Sequence, residues 1–164
     1  YSKQKEEFYF LPFDGEPRLI EETGVSRKKI IQELEKIEAN SIVMFLDACF
    51  SGLTRENNSI LENSGPIVIS KNSKYIPDNI DIFSSSKTNE NSGLLPEAKH
   101  GLFSYYLMRG LDGFADINNN NIITNGELFS YLKKSIIKES IRLNQNQTPT
   151  FNGKQNRILV DFTN

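Results

Sequence analysis

A strand covered on both faces is written into residues 41–47, "SIVMFLD". Its apolar side chains do not alternate with polar ones, which is the pattern of a central strand in a parallel sheet. Such a strand needs helices on either side, and the neighbouring sequence offers them. "TGVSRKKIIQELEKIEAN" reads as a helix with Ser26 as its N-cap, Ile30, Leu34 and Ile37 at helical spacing, and Asn40 at its end. "HGLFSYYLMRGL" reads as a second, with Phe103, Tyr106, Leu107 and Gly110 on one side. "NGELFSYLKKSIIKESIRL" reads as a third, turning Leu128, Leu132 and Ile136 inward.

Further strands are expected between and around these helices. "EFYFLPF" predicts one over 8–11, stopped by Pro12 and the turn "DGEP". "PIVIS" suggests a short strand or an edge, and "NIDIFSSS" a strand ending in the polar cluster Ser84, Ser85 and Ser86. The tail adds a last strand over 158–162. Strands alternating with helices indicate an α/β fold with a mainly parallel sheet. The 164 residues fit one domain, and neither a repeat nor a long linker divides them.

Several function classes are disfavoured. A formal net charge of -2, without a basic stripe, argues against a nucleic-acid partner. The short run "RKK" at 27–29 reads as a solvated helix face. No stretch approaches the roughly 18 apolar residues of a membrane span, and "YSKQKEEFYF" lacks the pattern of a signal peptide. A single cysteine fits a reducing interior, so a cytoplasmic location is expected.

In open α/β sheets, sites gather in the crevice at the carboxyl ends of the strands. Asp47 and Cys49 follow the strand at 41–47, and Ser84 to Ser86 end the next credible one. A free cysteine is most often a small buried hydrophobe. Here the tight exit "DACFSG" gives Cys49 a turn from which a thiol could project.

"DACFSG" after an apolar strand resembles the nucleophile motif of the caspase/metacaspase clan of cysteine peptidases, in its bacterial metacaspase-like version. Animal caspases carry Gln-Ala-Cys-Arg-Gly or a near relative there. "FYFLPFDGEP" is similar to the strand and turn after the family's catalytic histidine, "IFSSSK" and "HGLFSYYLMRGLDGFAD" to its later strand and helix, and "QTPTF" to its closing segment. The resemblance therefore covers nearly the whole chain. It implies a caspase-like sheet flanked by helices in three layers, without its first strands here, and cysteine endopeptidase activity.

In the mechanism so implied, Cys49 attacks the scissile carbonyl and an imidazole protonates the leaving amine. The Cys49 N–H and one from a glycine beside the catalytic histidine would hold the oxyanion. Asp47 would line the pocket for an Arg or Lys side chain before the cut, with Ser84, Ser85 and Ser86 beside it as substrate-binding residues. The other reading of Asp47 is a local turn cap. Where many metacaspases have a Cys-Lys-Asp-Asp-Gln-like stretch this chain has "SKTNEN", a departure that bears on basic specificity.

The family's histidine precedes its cysteine, by roughly 50 residues in caspases. That spacing lands at or before Tyr1, so the imidazole is expected in an upstream segment of the same domain. The chain's one histidine, His100, opens the "HGLF" helix, where a local helix-start role is the simpler reading. A protein or peptide substrate is the expected partner, and no cofactor is required. The alternative is a catalytically inactive caspase-like scaffold acting through protein contacts.

Residues 116–127, "DINNNNIITNGE", follow the EF-hand loop pattern. Asp116, Asn118 and Asn120 take positions one, three and five; Ile122 offers its carbonyl, then come Thr124 at nine and Glu127 at twelve. Asn121 replaces the usual glycine at six, and only two carboxylates are present, so any Ca²⁺ affinity should be low. The metal-free alternative is a loop held by Asx turns.

Overall fold

The computed structural model describes residues 8–48, 76–87, 90, 93–95 and 99–163. "PIVIS" lies outside them. The described strands and helices make a mixed α/β fold built on one three-stranded sheet. Strand β3 (Ile42–Leu46) runs parallel to β4 (Ile80–Ser84), and β4 pairs antiparallel with β8 (Thr150–Asn152). The register sets Ile42 against Ile80 and Leu46 against Ser84, so both parallel strands end level.

Side-chain parity decides what each face meets. Ile80 and Ile82 of β4, with Ile42, Met44 and Leu46 of β3, pack against Ile31 and Leu34 of helix α2 (Arg27–Glu35). Phe83 and Val43 point the other way, into a larger core with Leu102 and Phe103 of α3 (Leu102–Arg109) and Leu128, Leu132 and Ile136 of α4 (Asn125–Arg142). Phe83 lies between Phe45 and Phe151, at centroid distances of 5.2 and 4.5 Å. Helices thus cover both faces of the sheet.

The helices begin where their sequences place them. Ser26 Oγ caps α2 by accepting from the Lys29 N–H. Thr124 and Glu127 form a reciprocal capping box at the start of α4. Leu128, Leu132 and Ile136 are fully buried, as the helical spacing predicts. Beyond α3 the chain passes through a π-helical turn over Gly110–Phe114. A Cβ at Gly110 would come within 2.7 Å of Leu128 Cδ1, so glycine lets this turn lie close against α4.

Three expectations are corrected. Helix α2 stops at Glu35, so Ile37 is exposed, and Ile31 rather than Ile30 is its buried residue. The fully covered strand is β4, not β3: β3 pairs only with β4 among the described residues, and Phe45 keeps 37% of its exposure. Apolar runs identify sheet strands but do not say which is innermost. The strand expected over 8–11 is present as a short β1 (Tyr9–Phe10), which pairs with β2 (Val25–Ser26) in a two-stranded ribbon of its own.

Finally, the sheet is not mainly parallel among the described residues, because β3–β4 is their one parallel pair. The 158–162 segment forms β9 (Ile158–Asp161), which pairs antiparallel with β7 (Ile122–Thr124) in a separate ribbon. The third strand of the main sheet is β8 instead, because its Phe151 packs on Phe83.

Candidate functional site

The carboxyl ends of β3 and β4 are tied together by Ser85. Its N–H donates to the Leu46 carbonyl at 2.8 Å, and its hydroxyl donates to the Ala48 carbonyl at 3.3 Å. The backbone on both sides of Asp47 is therefore anchored to the end of β4. Residues 43, 45 and 47 share one parity, and Val43 and Phe45 face the α3 side with Phe83. Asp47 follows them, and its Oδ2 accepts a 2.6 Å hydrogen bond from Ser104 Oγ on α3. The next residue but one is Cys49, which lies outside the described residues.

The three serines have different environments. Ser84 is half-buried at the end of β4, whereas Ser85 and Ser86 are buried. The Ser86 hydroxyl donates to the Glu90 carbonyl at 3.3 Å. Ser85 and Ser86 thus have their hydroxyls committed to the chain's own carbonyls. Of the three, Ser84 has the most solvent access.

The closing segment braces this end of the sheet. Gln147 is buried and bridges two strands' ends: its Nε2 donates to the Ser85 carbonyl at 2.9 Å, and its Oε1 accepts from the Gly93 N–H at 2.7 Å. Glu90 accepts from both the N–H and the hydroxyl of Thr148, at 2.6 and 3.0 Å. Gln147 and Thr148 belong to "QTPTF", so these bonds tie that segment to the end of β4, to Gly93 and to Glu90. The sequence reading did not single out Gln147, Thr148 or Ser104. No local pattern marks a residue whose partner is more than fifty positions away.

His100 is exposed in β6 (His100–Gly101), which pairs with β5 (Leu94–Leu95) just before α3. That matches a position at the helix start.

The loop at 116–127 is closed on itself by its own side chains. Asp116 accepts from the N–H groups of Asn120 and Asn121, at 3.1 and 2.9 Å. Asn118 Oδ1 accepts from the Asn120 N–H, and Asn120 Oδ1 from the Ile122 N–H. Asn119 and Asn121 adopt left-handed backbone, with φ of 58° and 64°, so Asn121 takes the turn that glycine usually makes. Asn118 Nδ2 lies 2.6 Å from Glu127 Oε1, so positions three and twelve of the pattern converge.

That convergence fits a cation cage, with a half-turn of the Asn118 amide presenting its oxygen. Thr124 fits less well, because its hydroxyl donates to Glu127 Oε2 at 2.8 Å within the capping box. The Ile122 backbone is held in β7 opposite Asp161. Among the described residues, no three His, Cys, Asp or Glu side chains gather as a metal-binding group.

A second polar cluster, which the sequence reading passed over, lies under the sheet. Asp81, inside β4 and fully buried, accepts from Asn125 Nδ2, the Lys154 N–H and Arg157 Nη1, at 2.7, 2.9 and 2.7 Å. It joins the start of α4 and the β8–β9 connection to the central strand. The visible signal was an acid between two isoleucines in "NIDIF". A charge there requires a partner, although the sequence does not say which.

Among the described residues no helix is long and apolar enough to cross a membrane. No protein-family model matches the chain, and no curated protein matches it.

Proposed function

We propose that the chain is the nucleophile-bearing part of a caspase-like cysteine endopeptidase that cuts after Arg or Lys. Asp47 and Ala48 sit where two parallel strands end level, held by Ser85 from β4 and Ser104 from α3. This placement carries the reading. Cys49 is the second residue after Asp47 in the sequence, and open α/β sheets keep their chemistry beyond strand ends of this kind. The motif resemblance supplies the reaction class.

In this reading the Cys49 thiolate attacks the scissile carbonyl, forming an acyl-enzyme and releasing the amine, which takes a proton from an imidazole. Water then hydrolyses the thioester and regenerates the thiol. The imidazole is contributed by an upstream segment of the same domain, and Asp47 pairs with the basic side chain before the cut. Of the serines, Ser84 is the one proposed to face substrate, while Ser85 and Ser86 hold the crevice in shape. The substrate is a protein or peptide, and the lone cysteine suits a cytoplasmic setting.

No cofactor takes part in the reaction. Ca²⁺, held by Asp116, Asn118, Asn120, the Ile122 carbonyl and Glu127, would stiffen the approach to α4.

The test is labelling of the full-length protein by an arginyl peptide carrying a thiol-reactive group, together with hydrolysis of the matching fluorogenic peptide. Both are expected to disappear in Cys49→Ala. Absence of labelling and hydrolysis, with an upstream histidine in place, would favour the inactive scaffold instead.

A further inference from the structure

We propose that Asn152 is a site of spontaneous deamidation beside the Asp81 cluster, whereas Asn125, also followed by glycine, is protected by the fold. The sequence has two Asn-Gly dipeptides, at 125–126 and 152–153. Glycine after asparagine favours the reaction, because no Cβ hinders its nitrogen from reaching the asparagine Cγ. Both dipeptides converge on one group. Asn125 Nδ2 donates to Asp81 Oδ2, and Gly153 lies against Asp81 Oδ1.

Their surroundings are opposite. Asn125 has no exposure, and its amide nitrogen donates to Asp81 Oδ2 and to the Lys154 carbonyl, at 2.7 and 2.8 Å. The nitrogen that would attack it, on Gly126, lies in the first turn of α4 and donates to the Gln155 carbonyl at 2.8 Å. Leaving group and nucleophile are both held. Asn152 is the last residue of β8 and is exposed, as is Gly153 beyond it. Neither the Asn152 carboxamide nor the Gly153 N–H makes a hydrogen bond among the described residues.

At mildly alkaline pH the Gly153 nitrogen gives its proton to a base in solution and attacks Asn152 Cγ. The new N–Cγ bond closes a five-membered succinimide while the Cγ–Nδ2 bond breaks, and ammonia leaves with a proton from solvent. Water then opens either imide carbonyl. One opening gives an ordinary aspartate, the other an isoaspartate whose main chain is longer by one methylene. That methylene enters next to Gly153, where even a Cβ would collide with Asp81. It would draw the Lys154 N–H away from Asp81 Oδ1, its acceptor at 2.9 Å. The isoaspartate form therefore has a weakened fold, and the aspartate form does not.

The experiment holds full-length protein at mildly alkaline pH, folded or in urea, and follows both asparagines by peptide mapping with mass spectrometry. An isoaspartate-specific methyltransferase identifies the rearranged product. In folded protein Asn152 is expected to convert about a hundredfold faster than Asn125, the scale of a lost near-attack geometry. In urea the two rates should converge. Asn152→Gln should abolish the change at this position and keep its urea midpoint longer than the parent does. The isoaspartate fraction of the parent, separated by ion exchange, should have a lower midpoint than freshly prepared Asn152→Asp. Equal rates at the two sites in folded protein, faster conversion of Asn125, or an inert Asn152 while the unfolded chain reacts would each overturn the site. An isoaspartate fraction that keeps the parent's midpoint would overturn its link to Asp81.

Discussion

Arg157 Nη1 donates to Asp81 Oδ2 across 2.7 Å, and the carboxylate that accepts it has no exposure to solvent. The same guanidinium donates through Nη2 to the Asp78 carbonyl, so one side chain clamps the start of β4 at two points. Removing one partner of a buried pair costs far more than the pair contributes, because the other charge is left without compensation. Arg157→Ala is expected to destabilise the fold by about 3 kcal/mol, with Asn125 and the Lys154 N–H softening the loss. Urea denaturation of the variant against the parent checks this.

Gly153 presses on the same carboxylate. Its φ is 152°, and an added Cβ would meet Asp81 Oδ1 and come within 2.9 Å of Asp81 Cα. The obstruction includes backbone of a fully buried strand, which cannot move aside easily. Gly153→Ala should therefore cost about 2 kcal/mol, read as a lower urea midpoint with an unchanged slope.

The capping box and the loop it closes can be separated by mutation. Thr124→Ala removes the hydroxyl that accepts from the Glu127 N–H, and should lower stability by about 1 kcal/mol with or without Ca²⁺. Glu127→Gln removes a loop carboxylate, while the amide oxygen in its place can still accept from the Thr124 N–H. If the loop holds Ca²⁺, millimolar calcium should raise the melting temperature of the parent and of Thr124→Ala but not of Glu127→Gln. A parent melt that calcium does not move would discard the metal.

Two tyrosines should make the fold sensitive to alkali. Burial raises the phenols of Tyr106 and Tyr131 above their ordinary value of 10.0, with the Glu139 charge adding to the effect at Tyr106 and Arg109 opposing it at both. In the unfolded chain these groups lose their protons first. Their stabilising contribution is thus complete below about pH 10 and declines as pH rises through the higher folded values. Ultraviolet absorbance should record their late ionisation, and Tyr106→Phe with Tyr131→Phe should flatten the alkaline loss of stability.

Much of the architecture could be read from local pattern. Leu128, Leu132 and Ile136 lie four residues apart, and each is fully buried on α4. Ser26 caps α2, and "NIDIF" is a strand. These succeeded because helical spacing, capping and strand runs are properties of adjacent residues. The neighbourhood of Asp47 was legible in part, because an apolar run shows where its strand ends. Ser104 at its carboxylate was not, since the bond depends on how α3 rests against Phe83.

The order of strands divides the two levels of information most clearly. By itself the sequence determined that residues 42–46 and 80–84 are strands and that 125–142 is a helix. The tertiary structure decided that β8 rather than β9 joins the main sheet, that β4 is its most deeply buried strand, and that Asp81 is matched by Arg157. Local pattern arises from the geometry of neighbouring residues. Pairing between distant segments is settled by which faces bury most apolar surface while leaving buried charge compensated, and only the assembled chain can compare those alternatives.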